Sequence, residues 1–200
     1  MADQPAEREA PAGRGWAEVW LAATTRPGVE TFQELLAEPG VSARRALTWA
    51  AATFAAGGAL IALLTIVTRP ELGFPPLALP LSAVLGGVAG VVGFAAGIGL
   101  IHIFALLLGG MGSYEQLLYA VSAFALPMSL VSIVINAIPG VDVIGGLLVS
   151  LYGYALLVMA IRAVHDFAWW RAVVSSLIVL STFALGVLGF AELVLLPLRW

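Results

Sequence analysis

His102 and Glu192 are the ionisable side chains that lie inside long apolar runs of this 200-residue sequence. A charge held in hydrocarbon is costly, so such a residue is a functional candidate by default. His102 stands about two turns before the Gly109–Gly110 break. His165 follows the apolar run that ends near Ile161, in what reads as a loop at the same membrane face. With Glu115 or Asp166 beside them, the two imidazoles have the chemistry to sense pH or hold a cation. Two histidines from separate segments carry no metal-ligand spacing, so no metal and no cofactor is expected. Glu192, one to two turns from the other end, is expected to pair with Arg69 or Arg199.

Uncharged polar groups form a second constellation. Ser122, Ser129, Ser132 and Asn136 fall on one face of a helical run, and Pro127 lies on the opposite face. Pro127 removes one backbone hydrogen bond and is expected to kink the helix. A transporter would use such a stripe as an unwound substrate site. The alternative is hydroxyls that bond to carbonyls and neighbouring helices. Small residues recur at spacings of three and four: Gly86, Gly90, Gly93 and Gly97, then Ala51, Ala55, Gly58 and Ala62. Lipid gives helices no hydrophobic drive to associate, so close backbone approach over small side chains must supply much of it. The glycines serve either packing within one bundle or a homodimer face. There is no nucleophile elbow, no HExxH, no P-loop and no cysteine, so no enzyme is expected.

The elements that carry these residues are spanning helices. Hydrophobic residues make up 61% of the chain and charged residues only 10%, against roughly 25% in soluble domains. Five apolar blocks, at about 46–68, 77–108, 114–136, 143–161 and 169–197, are long enough to cross a bilayer. The expected fold is therefore an all-α integral membrane bundle of five transmembrane helices over residues 46–198. Residues 1–15 read as a disordered tail without the apolar core of a signal peptide, so the first span is expected to direct insertion. Residues 16–45 read as a cytoplasmic arm of short amphipathic helices, with Trp16, Val19, Trp20, Phe32 and Leu35 on its apolar side. The arm either lies on the membrane surface or packs on the bundle. With the N-terminus inside, seven arginines fall on inner segments and two, Arg69 and Arg199, on outer ones. That bias predicts a multi-pass plasma-membrane protein with a cytoplasmic N-terminus and an external C-terminus. No basic stripe exists to meet nucleic acid. The expected partners are the lipid bilayer, a second copy, or another membrane protein.

One ordered set of segments resembles a known family. Leu108-Gly109-Gly110-Met111-Gly112-Ser113-Tyr114 is followed by Ala123-Phe124-Ala125-Leu126-Pro127, Ile138-Pro139-Gly140, Tyr152 and Ala163-Val164-His165. Together with Arg26-Pro27, Thr31-Phe32 and Leu35, these are similar to the Yip-one domain family over about residues 16–198. The resemblance implies five membrane helices, a cytoplasmic N-terminus, oligomer formation and no enzymatic activity. Eukaryotic relatives act in membrane trafficking and contact Rab-type GTPases. Here the arm is short and the DLYGP-type motif is missing, so the likeness is to prokaryotic-type members and a GTPase partner is in doubt. The function expected is a membrane scaffold, accessory subunit or partner-binding protein, with a small-solute transporter or channel as the alternative.

Overall fold

The structure, a computed structural model, describes residues 13–75, 77–177 and 181. Every regular element among them is helical. Two short helices, α1 (Trp16–Thr25) and α2 (Val29–Leu36), precede four long ones: α3 (Ala43–Thr68), α4 (Ala78–Leu107), α5 (Tyr114–Asn136) and α6 (Asp142–His165). All four long helices are long and apolar enough to cross a membrane, where a helix is favoured because it satisfies its own backbone hydrogen bonds. A helical run over 169–177 opens the fifth apolar block. Most of that block, Glu192 and the first twelve residues lie outside the described residues.

Local chemistry sets most helix ends. Ser113 Oγ accepts from Gln116 N–H at 3.2 Å, and Gln116 Oε1 accepts from Ser113 N–H at 3.1 Å. This reciprocal box starts α5 as the sequence predicts. Helix α4 closes with a Schellman pair, Gly110 N–H to Ala105 O and Gly109 N–H to Leu106 O, both 2.9 Å. Gly109 adopts φ +89°, a left-handed conformation that suits glycine. One expectation changes. Helix α6 continues to His165, so His165 ends a helix instead of lying in a loop. Val141 is its N-cap, and no side chain bonds there. Helix α5 runs from Tyr114 to Asn136 without interruption at Pro127.

Short turns make successive long helices antiparallel, so α3 and α5 begin where α4 and α6 end. At this end Glu115 Oε1 accepts from Ala43 N–H at 2.8 Å, tying the first turn of α5 to the first turn of α3. A carboxylate at two helix N-termini meets both partial positive charges. Close backbone approach joins α3 to α4. A Cβ on Gly58 would overlap the Ser82 carbonyl oxygen, and one on Gly86 would lie 3.0 Å from the Phe54 carbonyl oxygen. One on Gly90 would overlap the Phe54 ring.

The core sits at the end shared by these helix starts and finishes. Leu117 to Phe124 of α5 are buried, together with Trp49 and Ala50 of α3 and Ile161 and His165 of α6. The arm closes this core. Val19 and Ala23 of α1 and Phe32 and Leu35 of α2 are fully buried. Phe32 meets Phe124 edge to face at 5.9 Å, about 15 Å along α5 from its start. Tyr152 Oη donates to the Thr24 carbonyl at 2.6 Å. Of the two arrangements open to the arm, its apolar faces take packing on the bundle, while Glu30, Gln33 and Glu34 stay exposed. Trp49 is buried in the arm contact.

The α3–α4 contact predicts opposite outcomes at neighbouring glycines. A Cβ on Gly93 would meet nothing within 4 Å. Gly90→Leu should lower stability by about 1–3 kcal/mol through overpacking against Phe54, whereas Gly93→Leu should leave it unchanged. Thermal unfolding in detergent, followed by circular dichroism, reads both.

Candidate functional site

The polar chemistry gathers at the core end, around the turn between α4 and α5. The ring centroids of His102 and His165 are 5.3 Å apart. His165 stacks on Phe167 at 5.4 Å, and His102 meets Tyr114 edge to face at 5.9 Å. Tyr114 Oη donates to the Ala95 carbonyl at 3.0 Å, fixing the aromatic wall to α4. Gly112 N–H donates to His165 Nδ1 at 3.1 Å. The turn fits this closely only because it lacks side chains: a Cβ on Gly110 would lie 2.6 Å from His165 Nδ1, and one on Gly112 would overlap the Val164 carbonyl oxygen.

That hydrogen bond decides what His165 offers. With Nδ1 accepting, a neutral ring carries its proton on Nε2. Nε2–H is a donor, and a donor does not ligate a cation. Among the described residues His165 Nε2 and His102 Nδ1 are both buried without a hydrogen-bond partner. Among the described residues no group of three or more His, Asp or Glu side chains gathers there to hold a metal. The two rings are packed side by side in a joint in which His165 Nδ1 is already taken by the Gly112 N–H. Sequence reasoning put the two histidines at the same membrane face. It did not show that Gly110 and Gly112 are the residues that let His165 dock.

The polar stripe of α5 is spent on its own backbone. Ser122 Oγ donates to the Tyr119 carbonyl at 2.8 Å, Ser129 Oγ to Leu126 at 2.7 Å, and Asn136 Nδ2 to Ser132 at 2.8 Å. Ser129 and Ser132 border an open groove of about 550 Å³ between α4, α5 and α6, whose other walls include Ile98, Phe124 and Met128. The small-residue stripe of α4 changes its surroundings along its length. Gly86 and Gly90 are taken up by α3, Gly93 is open, and Gly97 is half-buried.

The arm clamp is the constellation that the sequence pattern hid. Trp16, Trp20 and Trp49 meet at centroid distances of 5.8–6.4 Å, and Trp49 lies 5.3 Å from Tyr119. The Arg45 guanidinium sits 4.9 Å from the Trp49 ring and 5.8 Å from Tyr119. Arg45 Nη2 donates to the Arg14 carbonyl. Arg14 in turn pairs with Glu38 at 3.0 Å, which binds the two ends of the arm to each other. Desolvated cation–π contacts are worth up to about 2 kcal/mol; they fix Arg45 between α3 and α5, and its bond to the Arg14 carbonyl ties the start of the arm there.

Loss of the turn contact should be local and measurable. Gly112→Ala and His165→Ala should each destabilise by about 1–3 kcal/mol and speed amide exchange over residues 109–113. Gly153→Ala, where a Cβ meets nothing within 4 Å, should leave both readouts unchanged.

The comparisons with known proteins give one positive finding. The family model described as the Yip1 domain matches residues 21–191, which takes in α2 to α6, the His102–His165 joint and all but the first residues of the arm. No curated protein and no solved structure matches. A match of that extent makes this multi-pass membrane chain a member of the Yip1 domain family.

Proposed function

We propose that the protein works by binding, as a membrane scaffold or accessory subunit that packs against a second copy or another membrane protein. The observation that carries this reading is the free face of α4. Ala89, Val92, Gly93 and Ala96 are exposed along it, and Gly93 continues the Gly86–Gly90 stripe past the point where that stripe meets α3. Small residues at that spacing permit close approach of another helix in lipid. The same reading takes the block at 169–197 as a fifth crossing of the plasma membrane, with the N-terminus cytoplasmic and the C-terminus external. The Yip1 domain family is not an enzyme family, which fits a role without catalysis.

The runner-up, transport of a small solute, has the groove beside Ser129 and Ser132 in its favour. Against it, Ser122, Ser129 and Asn136 bond within their own helix. The groove is walled mainly by apolar side chains, among them Ile98, Ile101, Phe124 and Met128, and so offers little to replace the hydration of an ion.

Self-association should respond to Gly93 and not to the groove. Gly93→Leu should weaken self-association by about tenfold or more, read as the dimer-to-monomer ratio in native mass spectrometry from mild detergent, while its unfolding temperature stays unchanged. Ser129→Ala should leave that ratio as it is. A monomer in the wild-type protein, with no co-purifying membrane partner, would contradict the scaffold reading.

A further inference from the structure

The elbow between α6 and the helical run at 169–177 carries two arginine–tryptophan pairs that neither the His102–His165 joint nor the arm uses. The Arg162 guanidinium lies 4.3 Å from the Trp169 ring, and that of Arg171 lies 5.3 Å from the Trp170 ring. Both tryptophans are exposed, Trp169 by 47% and Trp170 by 59%. Arg162 Nε donates to the Phe167 carbonyl at 3.0 Å. That bond anchors one edge of the guanidinium and leaves the Nη edge free. Arg171 reaches toward the α4–α5 turn, where a Cβ on Gly109 would lie 3.6 Å from its Nη1.

Two arginines stand at this elbow beside one acid, Asp166. Asp166, at the elbow itself, is exposed, and among the described residues neither arginine makes an ion pair; the ion pair present is Arg14–Glu38. A guanidinium stacked on a ring keeps its planar donor edge for an anion, and that edge matches phosphate bidentately. Exposed tryptophans beside it, at the end of helices long and apolar enough to span, belong at headgroup depth. We infer that this elbow is a binding site for the phosphate of an anionic phospholipid in the inner leaflet, with Arg162 and Arg171 on the headgroup and Trp169 and Trp170 at the acyl boundary. Partner and surface agree in charge and in depth. The competing structural role, Arg171 serving only the C-terminal carbonyls of α4, needs no lipid.

Native mass spectrometry of the full chain, with phosphatidylglycerol and phosphatidylcholine of matched acyl chains, tests this. The wild-type protein should retain phosphatidylglycerol preferentially, and Arg171→Gln should reduce that preference about tenfold. Arg162→Gln should act similarly, but it also removes the Phe167 bond, so Arg171→Gln with an unchanged unfolding temperature is the decisive variant. Arg44→Gln, at an exposed arginine that starts α3, should keep the preference. Glycerol phosphate at millimolar concentration should not displace the lipid. Equal retention of the two lipids, a preference that survives Arg171→Gln, an equal loss in Arg44→Gln, or displacement by glycerol phosphate would each overturn the inference.

Discussion

In lipid an apolar helix gains nothing by hiding apolar side chains, so association depends on how closely backbones approach. The Gly58–Gly86 crossing is where this protein meets that constraint. Both residues lack a Cβ where one would strike the opposite backbone, and Gly90 receives the Phe54 ring one turn further on. Helix α3 is thereby held to α4, and Glu115 holds α5 to the start of α3. The order of packing follows from these contacts: backbone approach along α3 and α4, and dense side-chain packing at the end where the arm closes.

The two ends of the bundle differ because their solvents differ. At the arm end, Phe32, Leu35, Trp49, Tyr119 and Leu118 are fully buried, and burial next to water is stabilising in the ordinary way. Arg45 lies over Trp49 and Tyr119 and donates to the Arg14 carbonyl, so one charge helps to secure the arm. Toward the other end Val67, Leu81, Val84, Val88, Val134 and Leu147 stay exposed. For a helix in lipid this costs nothing, and it leaves surface on which a partner helix can pack.

Much of the fold was legible in the sequence because the bilayer imposes a length on apolar runs. The blocks predicted the four described spans within a few residues, and Ser113 with Gln116 predicted the start of α5 from cap chemistry alone. Other features were not legible, for definite physical reasons. An amphipathic pattern at Val29–Leu36 says that a face will be covered, not that α5 and α6 cover it. A glycine stripe says that close approach is possible, not that Gly86 and Gly90 meet α3 while Gly93 stays open. Side-chain reach past a turn is invisible in spacing, so the docking of His165 on Gly112 needed coordinates. Asp142 has a capping residue's chemistry, but the turn at Ile138 supplies the bonds to the Val141 and Asp142 N–H groups through backbone alone.

The central proposal is that the four long helices cross the bilayer alternately, with the arm folded on the end that the arginine bias assigns to the cytoplasm. The chain has no cysteine, so single-cysteine labelling with a membrane-impermeant reagent tests the claim directly on intact cells. Glu71→Cys and Pro139→Cys, in the turns opposite the arm, should label from outside. Gln33→Cys on α2 and Met111→Cys in the α4–α5 turn should label only after permeabilisation. Labelling of Met111→Cys and Glu71→Cys from the same side would contradict the account.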